Sequence, residues 1–264
     1  MRIYARSFRG EFGWELMRWQ GHLRWLAQEH DMIIDCAKGH EYLYSGIGDD
    51  LYGEQMWASG WKKNKWDGVP SPTFPQGGIT RRLFCDDYDK EIKPSKAICE
   101  AKHLKQKFIK YGKWGAHPGY DVVIHARNMG KPHPDWPDEK WQGLLTELRG
   151  YQVCFVGTSQ GARCWGEDKR GVPLEELCDI MRNSRLMIAE SSGPAHLASL
   201  CGLPHLVITD HRKWRVGWKK TTNYNRYKRL WNPLGTDCYI VDEYNDYNPP
   251  VERVLRAIDK NGLL

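Results

Sequence analysis

The sequence predicts an α/β protein in which parallel strands alternate with helices. Two stretches carry that expectation. Leu186–Asp210, LMIAESSGPAHLASLCGLPHLVITD, begins as an apolar strand and breaks into a small hydroxyl-rich turn. A helix follows from Pro194 with Leu197, Leu200 and Cys201 on one face; Gly202 and Pro204 stop it before a second apolar strand through Leu206–Ile208. The N-terminal 36 residues repeat this plan: a short strand, a glycine-containing turn, a helix and another strand.

In chain order, Arg2–Arg6 alternates small apolar and longer residues and reads as a strand. Ser7–Gly13 is its turn, and a helix over Trp14–Glu29 places Leu16, Trp19, Leu23 and Leu26 on one side before the strand Met32–Cys36. From Gly39 to Pro94 glycine, proline and aromatic residues are frequent and no element is assigned. Lys96–Lys113 reads as a lysine-rich helix, and Lys110–Tyr120 as a glycine-rich linker. Asp121–His125 is a strand, and Pro137 opens a helix carrying Trp141, Leu144, Leu145 and Leu148. Gln152–Val156 is the next strand. Pro173 opens a helix with Leu174, Leu177, Cys178 and Met181 on its face. After Leu186–Asp210 come the strand Cys238–Val241 and a helix over Val251–Lys260.

Composition narrows the class. With 264 residues and 41% hydrophobic content the chain can fill a core. No apolar run reaches about 18 residues, so no transmembrane helix is expected, and Met1–Gly10 has no stretch suited to a secretory signal. Eight cysteines without a CxxC pair read as reduced residues of a cytoplasmic protein rather than as a disulfide framework or a zinc site. The net charge of +6 suits anionic ligands such as sugar nucleotides or nucleic acid.

The run SRLMIAESSGPAHLASLCGLPHLVI resembles the signature of the heptosyltransferase-like GT-B glycosyltransferases, in which an apolar strand ends in a Ser/Thr-Gly turn followed by His-Leu-Ala, a helix, Gly-x-Pro and a strand. VVIHARNMGKPHPDWPDEKW is similar to the start of that family's second lobe, and Arg9–Gly13 sits where the family carries its first-lobe glycine loop. The resemblance covers Asp121–Ile258 well and the first 36 residues loosely. It implies a GT-B α/β architecture: two Rossmann-like lobes with parallel sheets and an interlobe cleft, the first lobe small and irregular. An acceptor-side lobe is placed at 1–115 and a nucleotide-sugar-binding lobe at 116–264. The activity implied is metal-independent transfer of a sugar from a nucleoside diphosphate sugar to a hydroxyl acceptor, with no cofactor. One position departs from the family pattern: where an Asp usually precedes the Ser/Thr-Gly, this chain has Ser191, and its acid, Glu190, stands one residue earlier.

Residue chemistry points the same way. A departing diphosphate gains negative charge that fixed donors must stabilise. Ser191, Ser192, Gly193 and the amides of Ala195 and His196 lie at a helix N-terminus, where free N–H groups and the helix dipole converge, and Arg127 would add a bidentate fork. The same Ser-Ser-Gly-Pro run also suits an ordinary N-cap. His196, assigned a catalytic role, is either a neutral imidazole bonded to phosphate or ribose, or a buried histidine satisfied by backbone. Gly157, Thr158 and Ser159 follow a strand and would approach the base or ribose. Glu176 would hold ribose hydroxyls, and Glu190 would contact donor sugar or ribose. Glu11, beside Gly10, is the expected general base, with Glu15 its rival and a plain helix-start charge the alternative.

His211–Trp231 holds eight Lys/Arg, five aromatic residues and no acid. Basic residues interleaved with aromatics suit nucleic acid, and they equally suit a solvated loop whose field serves the donor. Lys213, Trp214, Arg215 and Trp218, with Arg9, are the acceptor-side candidates. The acceptor would be a glycan or a hydroxymethylated DNA base flipped from its stack. A non-catalytic nucleic-acid- or glycan-binding protein on the same scaffold is the reading from a different class.

Overall fold

The computed structural model describes residues 1–8, 10–47, 50–54, 88–95, 98, 101, 103–129, 135–210, 213–216, 219–243 and 248–264. The chain divides into two compact units, Met1–Phe108 and Ile109–Leu264.

In the first unit a four-stranded sheet runs in the order β3-β2-β1-β4, formed by β1 (Arg2–Ala5), β2 (Asp31–Ala37), β3 (Asp50–Glu54) and β4 (Lys90–Ile92). All its pairings are parallel, with Ala5 opposite Ile34 and Ile92. The expected helix is present but interrupted: α1 (Phe12–Trp14) runs into a π turn (Glu15–Trp19) and then α2 (Gln20–Leu26). A π turn displaces backbone carbonyls from their usual partners. Here side chains supply donors: Gln20 Nε2 donates to the Leu16 carbonyl at 2.8 Å, and Gln106 Nε2 to those of Met17 and Arg18 at 2.7 and 3.2 Å. Leu16, Trp19 and Leu23 are buried as their spacing requires, and Leu26 is half-buried.

That role for Gln106 explains a correction. Leu104–Lys113 is not helical. Its backbone lies against the helix instead, with the Lys107 N–H donating to the Gly21 carbonyl at 2.8 Å and the His22 ring meeting the Lys105 carbonyl at 3.1 Å. Partners from α2 and the π turn replace the intrahelical bonds that a lysine-rich pattern would have formed. Lys110–Tyr120 is likewise no free linker. Tyr111 is buried and donates its N–H to the Leu200 carbonyl, and Lys113 and Gly115 amides bond the side chains of Asp179 and Asn183.

The second unit contains β5 (Val122–Arg127), α3 (Asp138–Glu147), β6 (Val153–Phe155), β7 (Ala162–Arg163) and β8 (Glu167–Asp168). It continues with α4 (Leu174–Asn183), β9 (Leu186–Glu190), α5 (Gly193–Cys201), β10 (His205–Asp210) and the antiparallel hairpin β11 (Lys213–Val216) and β12 (Lys219–Thr222). The remaining elements are α6 (Asn223–Arg229), β13 (Cys238–Glu243) and α7 (Val251–Lys260). The main sheet runs β13-β10-β9-β5-β6-β8, all parallel along that path. Its central strands β5, β9 and β10 are buried at every residue, which is why they read as continuous apolar runs rather than alternating ones. Trp136, Trp141, Leu144, Phe155, Val254 and Ile258 pack one face of this core, with Trp136 and Trp141 edge to face at 4.7 Å between ring centroids.

Cys36, Cys154, Cys178, Cys201 and Cys238 are buried free thiols. No helix among the described residues is long and apolar enough to cross a membrane.

Gly112 sits at φ +79°, and a Cβ there would come within 2.3 Å of the Cys178 carbonyl oxygen. Gly112→Ala is therefore expected to lower the unfolding free energy by about 1–3 kcal/mol in urea denaturation, through backbone strain and displacement of the 110–120 strap. A change below a few tenths would show that the strap carries no stability.

Candidate functional site

Strand order places the site of the second unit. The chain leaves β5 through α3 to reach β6 on one side, and returns through α4 to β9 on the other side of β5. The connections after β5 and β9 thus diverge at the carboxyl edge of adjacent strands, the topological switch point where open α/β sheets hold ligands. Arg127 ends β5 and Glu190 ends β9, with Ser191–Gly193 following.

A charged network fixes that edge. Glu190 is fully buried, and its two carboxylate oxygens accept the backbone N–H groups of Arg127, at 2.5 Å, and Trp136. It is therefore not the ligand-facing carboxylate expected from the sequence, because both oxygens are committed to backbone and none of its surface is accessible. Burial pushes its pKa up to about 7, against the lowering effects of the Arg127 charge and the two amides. Arg127 is likewise committed. Its Nε donates to Asp135 at 2.9 Å and its Nη1 to the Ser191 carbonyl at 3.2 Å. The expected open phosphate fork is instead a buried ion pair that holds the turn after β9. Asp135 also accepts the Met129 N–H at 2.9 Å, and Arg163 spans Asp138 and the Trp136 carbonyl.

The turn itself faces outward. Ser191 through Pro194 are half-buried. Ser192 is the N-cap of α5 in extended conformation; its hydroxyl donates back to the Glu190 carbonyl at 2.8 Å and does not cap the helix. Pro194 stands in the first turn of α5, where its missing N–H costs the helix no hydrogen bond and the positive end of the helix dipole lies beside Gly193. Ala195 is fully buried. The Ser191 hydroxyl accepts from the Tyr227 hydroxyl at 3.1 Å, a contact across 36 positions that no local pattern signals.

His196 lies one turn into the helix and is 6% exposed. Its ring packs against Tyr227 and Trp231, with centroids 5.2 and 4.6 Å away. Burial, with smaller contributions from His205 and from the Arg226 charge, lowers its pKa to about 3, so it is neutral. Its Nδ1 is buried with no hydrogen-bond partner, which excludes the satisfied core histidine for that nitrogen and leaves a polar atom in need of one.

The other donor-side candidates are less specific. Gly157 has φ +123°, and a Cβ there would meet the His125 ring at 2.6 Å, so the glycine is required by packing. Thr158 closes its own loop by accepting the Gly161 N–H at 2.9 Å. Glu176 is half-buried in the first turn of α4.

In the first unit Glu11 is exposed at the N-cap position of α1. Glu15 is 2% exposed and its two oxygens meet His40 Nδ1 at 2.8 Å and the Tyr44 hydroxyl at 2.7 Å, so it is not the rival base. Arg9 and Trp218 lie outside the described residues; Lys213–Arg215 form part of β11. Within the basic, aromatic stretch, Arg226 and Tyr227 are buried, and Trp231 is half-buried against His196, so these three serve the second unit's own packing.

The class defined by these features is a parallel α/β protein with a helix-N-terminal turn at a sheet switch point. Among solved structures, more particularly, the chain is similar to heptosyltransferase-like GT-B glycosyltransferases. An ADP-heptose lipopolysaccharide heptosyltransferase II of E. coli superposes with a TM-score of 0.64 at 11% identity, over 98% of each chain. A glycosyl transferase family 9 protein from Veillonella parvula gives 0.57 at 13% identity, over 98% of this chain and 96% of that one. E. coli heptosyltransferase WaaC, solved with ADP, gives 0.57 at 11% identity, over 99% and 100%. No family model and no curated protein matches the sequence. The protein has a heptosyltransferase-like GT-B fold.

Two predictions follow from the buried titratable groups. Glu190→Ala leaves two buried N–H groups unpaired and is expected to cost about 2–4 kcal/mol in urea denaturation. Because the folded pKa of Glu190 lies above its unfolded value, its protonation stabilises the fold at low pH and that contribution is lost as pH rises through about 7. The cost of the substitution should accordingly be largest near pH 5 and shrink toward pH 8; a cost independent of pH would contradict this. His125, His196 and His205 have folded pKa values lowered to about 4, 3 and 4, so the stability they contribute is present above about 6.5 and is lost as the pH falls toward those values. Comparing wild type with His205→Gln should show a shallower loss on acidification in the variant.

Proposed function

We propose that the protein is a metal-independent glycosyltransferase moving a sugar from a nucleoside diphosphate donor to a hydroxyl acceptor. The observation that carries this reading is the half-buried turn Ser191–Gly193 at the switch point, set at the head of α5 with the orphaned His196 nitrogen one turn behind it. Such a turn suits the charge that grows on a departing diphosphate. Nucleoside diphosphate donors are supported by the WaaC neighbour, solved with ADP and with ADP-2-deoxy-2-fluoro heptose.

In the proposed reaction the acceptor oxygen bonds to the anomeric carbon while the bond to the diphosphate oxygen breaks, its electron pair leaving with the nucleotide. The turn and neutral His196 bind the diphosphate; Arg127 acts through the Ser191 carbonyl to hold the turn. Glu176 and the loop at Gly157 and Thr158 are the candidates for ribose and base. The acceptor's proton passes to Glu11, the exposed carboxylate of the first unit's glycine turn. Lys213, Trp214 and Arg215 of the hairpin keep a nucleic-acid acceptor, such as a hydroxymethylated base, within the proposal.

Release of nucleotide from a panel of ADP-, UDP-, GDP- and TDP-sugars, with water as acceptor, tests the reading. Turnover with at least one donor is expected, falling about 100- to 1,000-fold in Glu11→Gln and also lost in His196→Ala. Binding without release from any donor would instead make the protein a non-catalytic binder. Salt-dependent retardation of hydroxymethylated but not plain DNA would favour the DNA acceptor.

A further inference from the structure

The helix that follows the glycine turn of the first unit is tied to the turn after β2 by a partly buried Glu15–His40 pair. Because β1 and β2 are adjacent and parallel, both turns lie on the same carboxyl edge. Glu15, in the π turn, accepts from His40 Nδ1 at 2.8 Å and from the Tyr44 hydroxyl at 2.7 Å. Both members of the pair also grip the segment that carries Glu11. The Glu15 N–H donates to the Glu11 carbonyl at 3.2 Å, and the His40 ring lies against that of Phe12, the next residue, with centroids 5.2 Å apart. His40 keeps 28% of its side chain exposed, so it exchanges protons with solvent while its partner does not. Glu15 is the first residue of the π turn, so this departure from α-helical geometry begins at the carboxylate that holds His40.

We propose that His40 and Glu15 are positioning residues that hold the Glu11 turn in its working shape, and that this clamp is strongest when His40 is charged. The inference rests on the reading of Glu11 as the base. Burial opposes a charge on His40, but the Glu15 carboxylate and its hydrogen bond, with the neighbouring Glu41, outweigh it and raise the pKa above 6.5. The other groups around the pair are Tyr44, whose hydroxyl bonds Glu15, and Asp35 and Cys36 of β2; the Cys36 thiol is pushed up to about 12 and stays neutral. The charge-assisted part of the clamp is therefore fully present below the ordinary histidine range and is lost as the pH rises through the raised value, leaving the weaker neutral hydrogen bond.

Nuclear magnetic resonance on the full chain tests the clamp without any substrate. His40 and the Glu11 and Phe12 backbone amides are followed from about pH 5 to 9 in wild type, Glu15→Gln, His40→Ala and His40→Asn, the last retaining a donor near the Nδ1 position without a charge. In wild type the two amides should titrate with His40, with a midpoint above 6.5; Glu15→Gln should lower the midpoint and His40→Asn abolish it. In the nucleotide-release assay His40→Ala should lower kcat about 10-fold with donor KM unchanged. His40→Asn should recover most of that loss and remove the basic limb of the pH profile. Amides that ignore the titration of His40, a loss expressed in donor KM, or no recovery in His40→Asn would each overturn the proposal. Amides that follow His40 in a protein that releases no nucleotide would leave the clamp standing and remove the glycosyl-transfer reading.

Discussion

The second unit depends on one buried carboxylate. Glu190 ends β9 with no accessible surface, and its oxygens take the amides of Arg127 and Trp136 from the connection after β5. An uncompensated charge at that depth would be prohibitive, and an unpaired amide nearly as costly, so each group fixes the other. Arg127 and Asp135 extend the arrangement to the Ser191 carbonyl. The turn beyond is thereby held rigid by charges that never face a ligand. The acid and the arginine are thereby spent on shape, and the proposed diphosphate site draws instead on the helix N-terminus, the hydroxyls and the neutral imidazole.

That division suits a pyrophosphate better than a set of mobile cations would. Preorganised dipoles need no rearrangement as charge grows on a leaving group. His196 fits the same plan. An aromatic wall of Tyr227 and Trp231 keeps it neutral, and Tyr227 also bonds Ser191, so one helix stabilises both the turn and the imidazole behind it.

The first unit uses a comparable device at its own sheet edge. Glu15 is buried and paired, like Glu190, but its partner His40 reaches solvent. One carboxylate is locked into backbone, and the other raises the pKa of the histidine it is paired with. The rigid edge belongs to the proposed donor side and the titratable one to the proposed base.

The sequence by itself determined the βαβ periodicity, the strand–turn–helix at Leu186–Cys201, the terminal helix at its observed bounds and the resemblance to a GT-B family. These are local patterns of apolar spacing, caps and stops, and a parallel sheet buried on both faces writes them as continuous apolar runs. Only the tertiary structure decided what the charged residues do. Arg127, Asp135 and Glu190 are separated by up to 63 positions, and nothing local distinguishes a buried carboxylate bonded to amides from one facing a ligand. The same holds for Glu15 with His40 and Tyr44, and for the Leu104–Lys113 segment, whose helical composition gave way to backbone partners in a distant helix. Burial and long-range hydrogen bonding are properties of the packed chain, and they set the protonation and partner of a titratable group more strongly than its neighbours in sequence do.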